Sequence, residues 1–258
     1  MSKMKSNIVF ESYENGSSEQ VVVDYSSANV ERASYMGVTI KTAILIGVAL
    51  ISGMLASLLL KTAPAVLTVL LLISCITSFV CVMIGTRNQN AAMPCGIIYS
   101  IGEGLSLGLI AVLCNSIEGF EWIIPTAIAA LFVIFCSMLV LYATKVIKPG
   151  RKIQAFIIGV LVSYLILSLI GGILLLFNVP FIYQILNFGP IAIAIAAILV
   201  LAGALSLLVD FETASRIVDN GCDKKFEWIA ALGLMVSIVY LFVQIVRLLM
   251  IIASNNRD

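Results

Sequence analysis

Three ionisable residues stand inside otherwise apolar stretches of this sequence: Glu103, Asp210 and Arg247, with Gln244 one helical turn before Arg247. Charge at membrane depth is costly, so each such residue is a functional candidate. Two carboxylates brought together in a low dielectric cannot both ionise cheaply, and one keeps its proton to a higher pH. Such a pair senses protons or weakly holds a divalent cation. It is not a calcium cage, which needs about six to eight oxygens. Each residue also has a structural alternative. Glu103 can be a neutral acid bonded to a neighbouring helix, and Asp210 a cap or interfacial charge at a helix end. Arg247 can snorkel to the outer interface.

Of the 258 residues in the chain, 61% are hydrophobic and 11% are charged. Mean hydropathy is +1.13. A soluble domain is about 45–50% apolar and about 25% charged. So few polar residues could not cover a water-facing surface, and a disordered chain needs the opposite balance. The composition predicts a polytopic membrane protein whose first partner is the lipid bilayer. Net charge is +1, so no bulk field recruits nucleic acid.

Runs free of charge mark the spans, each of about 20 residues. Thr42 to Leu60, Thr62 to Thr86, Trp122 to Thr144 and Trp228 to Val246 are clean runs. Ile153 to Val209 is too long for one helix and breaks at Asn178-Val-Pro180 and Asn187-Phe-Gly-Pro190. The stretch from Pro94 to Glu118 is interrupted by Glu103, and its Gly104/Ser106/Gly108 cluster favours a packed helix over a surface segment. The expectation is an all-α bundle of seven spans at 40–61, 64–85, 96–116, 122–144, 154–177, 190–211 and 227–250. The alternative is six spans, with 96–116 on the surface.

Twelve of the fifteen Lys and Arg residues fall on one side, leaving Lys61, Arg247 and Arg257 on the other. By the positive-inside rule the N-terminus is cytoplasmic and the C-terminus outside. Trp122 and Trp228 stand at span ends, as interfacial anchors do. Residues 1–32 read as a disordered cytoplasmic tail without the early apolar core of a signal peptide. The membrane domain is expected over 33–254 and a short C-terminal tail over 255–258. Of the six cysteines, Cys75, Cys81, Cys95, Cys114 and Cys136 lie in or beside spans and read as small packing residues.

Depth follows from helix rise. Glu103 lies about 10 Å above the inner end of span three at roughly 1.5 Å per residue. Spans six and seven turn near Gly221, so Asp210 faces residues near Leu232 to Ser237. Glu103 and Asp210 can then meet at similar depth. Arg247 lies about 15 Å further out than Ser237, too far for an easy pair with Asp210. The acids of the turn, Glu212, Asp219, Asp223 and Glu227, mix with Arg216, Lys224 and Lys225 and read as solvated.

Many chemistries are excluded. There is no histidine, which removes serine–histidine and cysteine–histidine catalysis and histidine-ligated metal. An intramembrane aspartyl protease needs two membrane aspartates, and only Asp210 qualifies. Residues 228–250 hold no lysine for retinal. Nucleotide fingerprints are missing. No ladder of arginines suggests voltage sensing. No inverted repeat of the secondary-transporter kind is evident. The protein is not expected to be an enzyme, and no cofactor is expected beyond transported or weakly bound calcium.

Four stretches in order resemble one family. Tyr35-Met-Gly-Val-Thr-Ile-Lys-Thr42 is similar to its lead-in to span one. Tyr99-Ser-Ile-Gly-Glu-Gly-Leu-Ser-Leu-Gly108 resembles its acid–glycine motif, and Leu208-Val-Asp-Phe211 its span-six aspartate motif. Glu227-Trp-Ile-Ala-Ala-Leu-Gly-Leu234 with Tyr240 to Leu249 resembles its span-seven signature. From about residue 33 to 252 the chain resembles the transmembrane Bax inhibitor motif family, in its larger, YccA-like bacterial branch. The resemblance implies a seven-helix fold with a central last helix, in the bacterial inner membrane. It also implies a pH-sensitive calcium leak governed by paired aspartates in spans six and seven. Asp210 matches the first. The second position falls on Ser237, which does not titrate. The family arginine matches Arg247, and Gln244 stands where relatives often carry an acid. Glu103 is then the candidate second carboxylate. The competing expectation is a non-transporting regulator that binds other membrane proteins, such as a membrane protease. Proton-coupled transport of a small solute is a weaker third.

Overall fold

The computed structural model describes residues 32–146, 149–177 and 189–255. Apart from Arg32 and Asn255, the two expected tails lie outside the described residues, as does the Asn178-Val-Pro180 break. Among the described residues seven helices follow in order: α1 (Tyr35–Thr62), α2 (Pro64–Gly85), α3 (Ala92–Ser116), α4 (Ile123–Ala143), α5 (Arg151–Leu176), α6 (Gly189–Asp219) and α7 (Phe226–Asn255). All seven are long and apolar enough to cross a membrane. The span at 96–116 is thus a full helix.

Local chemistry sets the boundaries. Ser34 caps α1 by accepting the Gly37 N–H at 3.0 Å. The α1–α2 break falls at Ala63, whose φ of −148° and ψ of 68° lie outside the helical region that a following proline disfavours. Pro94 is accommodated in the first turn of α3, where no helical partner is needed for its nitrogen. α6 runs on to Asp219, beyond the expected 211, because its polar end is still good helix. There Arg216 and Glu212 pair at 2.9 Å one turn apart. It stops in a Schellman closure: Gly221 has φ +63° and the Cys222 N–H donates to the Ile217 carbonyl at 3.1 Å. Arg32 then bridges Asp223 and the Ala33 N–H donates to Cys222 O at 2.8 Å, tying the start of α1 to this turn.

The last helix is the centre. In its most apolar window 67% of α7 is buried, against 11% in α4 and in α5. Leu45, Cys95, Tyr99, Leu232 and Met235 form one core where α1 and α3 meet α7. Ile123, Ala127, Leu207, Leu241 and Ile245 form another where α4 and α6 meet it. All six cysteines are free thiols, and Cys81, Cys95 and Cys114 are buried in such packing. Outside, side chains such as Ile76, Phe79 and Phe132 are exposed, the surface expected of helices solvated by lipid.

Lipid gives helices no hydrophobic reason to associate, so close backbone contact must do it. The α1–α3 crossing uses small residues for this. A Cβ on Gly108 would strike the Gly53 backbone, and one on Gly104 would strike Ala49 and Ser52. The Ser52 hydroxyl donates to Ala49 O at 3.0 Å within that crossing.

Candidate functional site

Asp210 lies on the stripe of α6 that carries Ser206 one turn earlier, facing α7 and α5. The Ser237 side chain of α7 stands beside its carboxylate, and both line one cavity. Gly233, one turn before Ser237, leaves the necessary room: a Cβ there would stand 3.3 Å from Asp210 Oδ1. Asp210 Oδ2 is buried without a hydrogen-bond partner. A cavity of about 280 Å³ opens beside the carboxylate, lined by Gln154, Ile157 and Ile158 of α5, Ser206 and Val209 of α6, and Ser237. A half-buried acid with one buried, unpartnered oxygen and space beside it can hold a proton, a water or a cation.

A polar stripe continues along α7. Ser237, Tyr240, Gln244 and Arg247 recur every three or four residues and so share one face. Tyr240 donates to Leu199 O of α6 at 3.5 Å. Gly203 lets its ring approach, since a Cβ there would lie 3.1 Å from Cδ1. Gln244 is buried with Oε1 unpartnered. Arg247 donates to the Tyr164 hydroxyl of α5 and sits 4.9 Å over its ring. Tyr164 and Ser163 also line a second cavity of about 440 Å³ between α5 and α6. The polar groups therefore follow the seam where α5, α6 and α7 meet.

Glu103 is elsewhere. Its carboxylate lies near Ser78 of α2 and near Tyr99 on its own helix. Ser100, fully buried with its hydroxyl unpartnered, is on the same helix. α3 packs against α1, α2 and α7 and shares no extended interface with α6. The structure therefore does not bring Glu103 to Asp210. Similar depth put them level, but the rotation of α3 turns Glu103 toward α2.

Glu227 corrects the expectation of a solvated acid. It is fully buried. Its Oε1 accepts from Ser34 N at 2.8 Å and Ser34 Oγ at 3.2 Å. Its Oε2 pairs with Lys41 Nζ at 2.8 Å. Lys41 also donates to Lys224 O at 3.0 Å and lies 5.0 Å over the Trp228 ring. Local sequence hid this because Ser34 lies 193 residues from Glu227 along the chain. Gln154 and Tyr164 were missed for a different reason: they sit in an uncharged run with nothing to mark them.

The family model described as Bax inhibitor 1 like matches residues 5–254. The chain belongs to this family. No curated protein and no solved structure matches it. In this Bax inhibitor 1-like protein, Asp210 and Ser237, the two positions paired by the resemblance, face each other across α6 and α7. The acid that a second aspartate would supply is a neutral hydroxyl.

Proposed function

We propose that this Bax inhibitor 1-like protein is a pH-sensitive cation leak of the bacterial inner membrane, gated by protonation of Asp210. The carrying observation is the buried, unpartnered Oδ2 of Asp210 beside a cavity on the α5–α6–α7 seam. The groups facing it are neutral: Gln154 from α5, Ser206 from α6 and Ser237 from α7. A proton there removes the one negative charge, and with it the attraction for a cation. Calcium permeation is what the family resemblance implies. Glu103 is a separate acid under this reading, and Gln244 and Arg247 extend the polar seam. The charge asymmetry supports a cytoplasmic N-terminus and an external C-terminus.

The test is flux in liposomes against pH, wild type beside Asp210→Asn. Flux that varies with pH, and loses that dependence in the variant, supports the leak. No flux at any pH from folded protein would instead favour a regulator that acts by binding other membrane proteins.

A further inference from the structure

We infer that the Asp210 site selects singly charged cations, such as potassium or sodium, over calcium. This rests on the leak reading and narrows its substrate. The donors around the cavity are one carboxylate, the hydroxyls of Ser206 and Ser237, and the Gln154 amide. Ser237 stands beside Asp210 at the cavity wall, and Ser206 spends its proton on Ala202 O at 3.0 Å. Both oxygens keep lone pairs for a cation. The site thus offers a single negative charge among neutral oxygens. Among the described residues no three acidic or thiol side chains converge to add to it. Glu103 lies near Ser78 of α2, away from this cavity, and Arg247 meets Tyr164 further along α7.

Calcium takes about six to eight oxygens. One carboxylate would leave it with an uncompensated positive charge among Ile157, Ile158 and Val209. Uncompensated charge in apolar surroundings is strongly unfavourable. A singly charged ion is neutralised by Asp210 alone. The cavity of about 280 Å³ has room for several waters at about 30 Å³ each, enough to complete its shell.

The experiment compares potassium and calcium flux at one pH in liposomes carrying the full chain, as wild type, Asp210→Asn and Ser237→Asp. Wild type should pass potassium about tenfold or more faster than calcium, the ratio that about 1.4 kcal/mol supplies. Asp210→Asn should lower the potassium flux, and Ser237→Asp should move the ratio toward calcium. Calcium flux equal to or above potassium flux in wild type overturns the inference while the leak stands. Absence of both fluxes from folded protein overturns the leak, and the inference with it. The wild-type ratio decides the matter even if Ser237→Asp does not fold.

Discussion

Gly37 and Glu227 share one space: the α1 backbone passes so close to the Glu227 carboxylate that a Cβ on Gly37 would overlap it. Glycine is costly in a helix, by about 1 kcal/mol against alanine. At Gly47, where nothing lies within 4 Å, alanine should therefore be neutral or mildly stabilising. At Gly37 the clash should win, because moving the carboxylate disturbs its bonds to Ser34 and Lys41. Gly37→Ala should cost about 1–3 kcal/mol, the usual penalty of overpacking. Thermal unfolding in detergent, with Gly47→Ala as the control, checks the contrast.

The α1–α3 crossing makes a second contrast. Gly108→Ala should destabilise by about 1–3 kcal/mol, since backbone atoms of Gly53 cannot move aside as a flexible side chain can. Gly172→Ala, on the open surface of α5, should not. Equal melting temperatures for the two variants would contradict the packing described.

Under the proposed leak, Glu103→Gln should leave the pH dependence of flux where it is in the wild type. Glu103 and Asp210 face different serines on different helices, Ser78 of α2 and Ser237 of α7. Sites without contact or shared partners behave additively. A pH profile displaced by Glu103→Gln would show that the two acids act together after all.

The contact between Arg247 and Tyr164 links α7 to α5. Tyr164→Phe removes the hydroxyl and keeps the ring, so it should cost about 0.5–1.5 kcal/mol of that attachment. Arg247→Lys should cost more, because lysine lacks the planar group that both donates and lies over the ring. Hydrogen exchange of α5 amides reads the effect. Loosening should be confined to α5 and graded between the two variants.

Much of this architecture was written in the sequence. Apolar runs bounded by charge gave seven spans, and Gly221 marked the α6–α7 turn. That register brought Asp210 opposite Ser237. The rotation of each helix was not legible, because helices apolar on all sides have no amphipathic face to orient them. Glu103 illustrates this: its depth followed from counting residues, while its partner depended on which way α3 turns. Glu227 illustrates a different limit. Its neighbours Asp223, Lys224 and Lys225 have the composition of a wet turn, and only the return of Ser34 and Lys41 through the fold buries it.

α5 spans 26 residues, about 39 Å at 1.5 Å each, whereas the hydrocarbon of a bilayer is about 30 Å thick. A helix longer than the hydrocarbon thickness accommodates the mismatch by tilting. Among the described residues α6 is the one helix against which α5 packs extensively, so its tilt is restrained mainly from one side. The thickness of the surrounding lipid thereby acts on the seam that holds Asp210. Shorter acyl chains should lean α5 further over and longer ones bring it upright, changing the gap beside the acid without any ligand. The lipid would in this sense be a mechanical input to the protein, and under the proposed leak the conductance of one preparation should track the chain length of the bilayer that receives it.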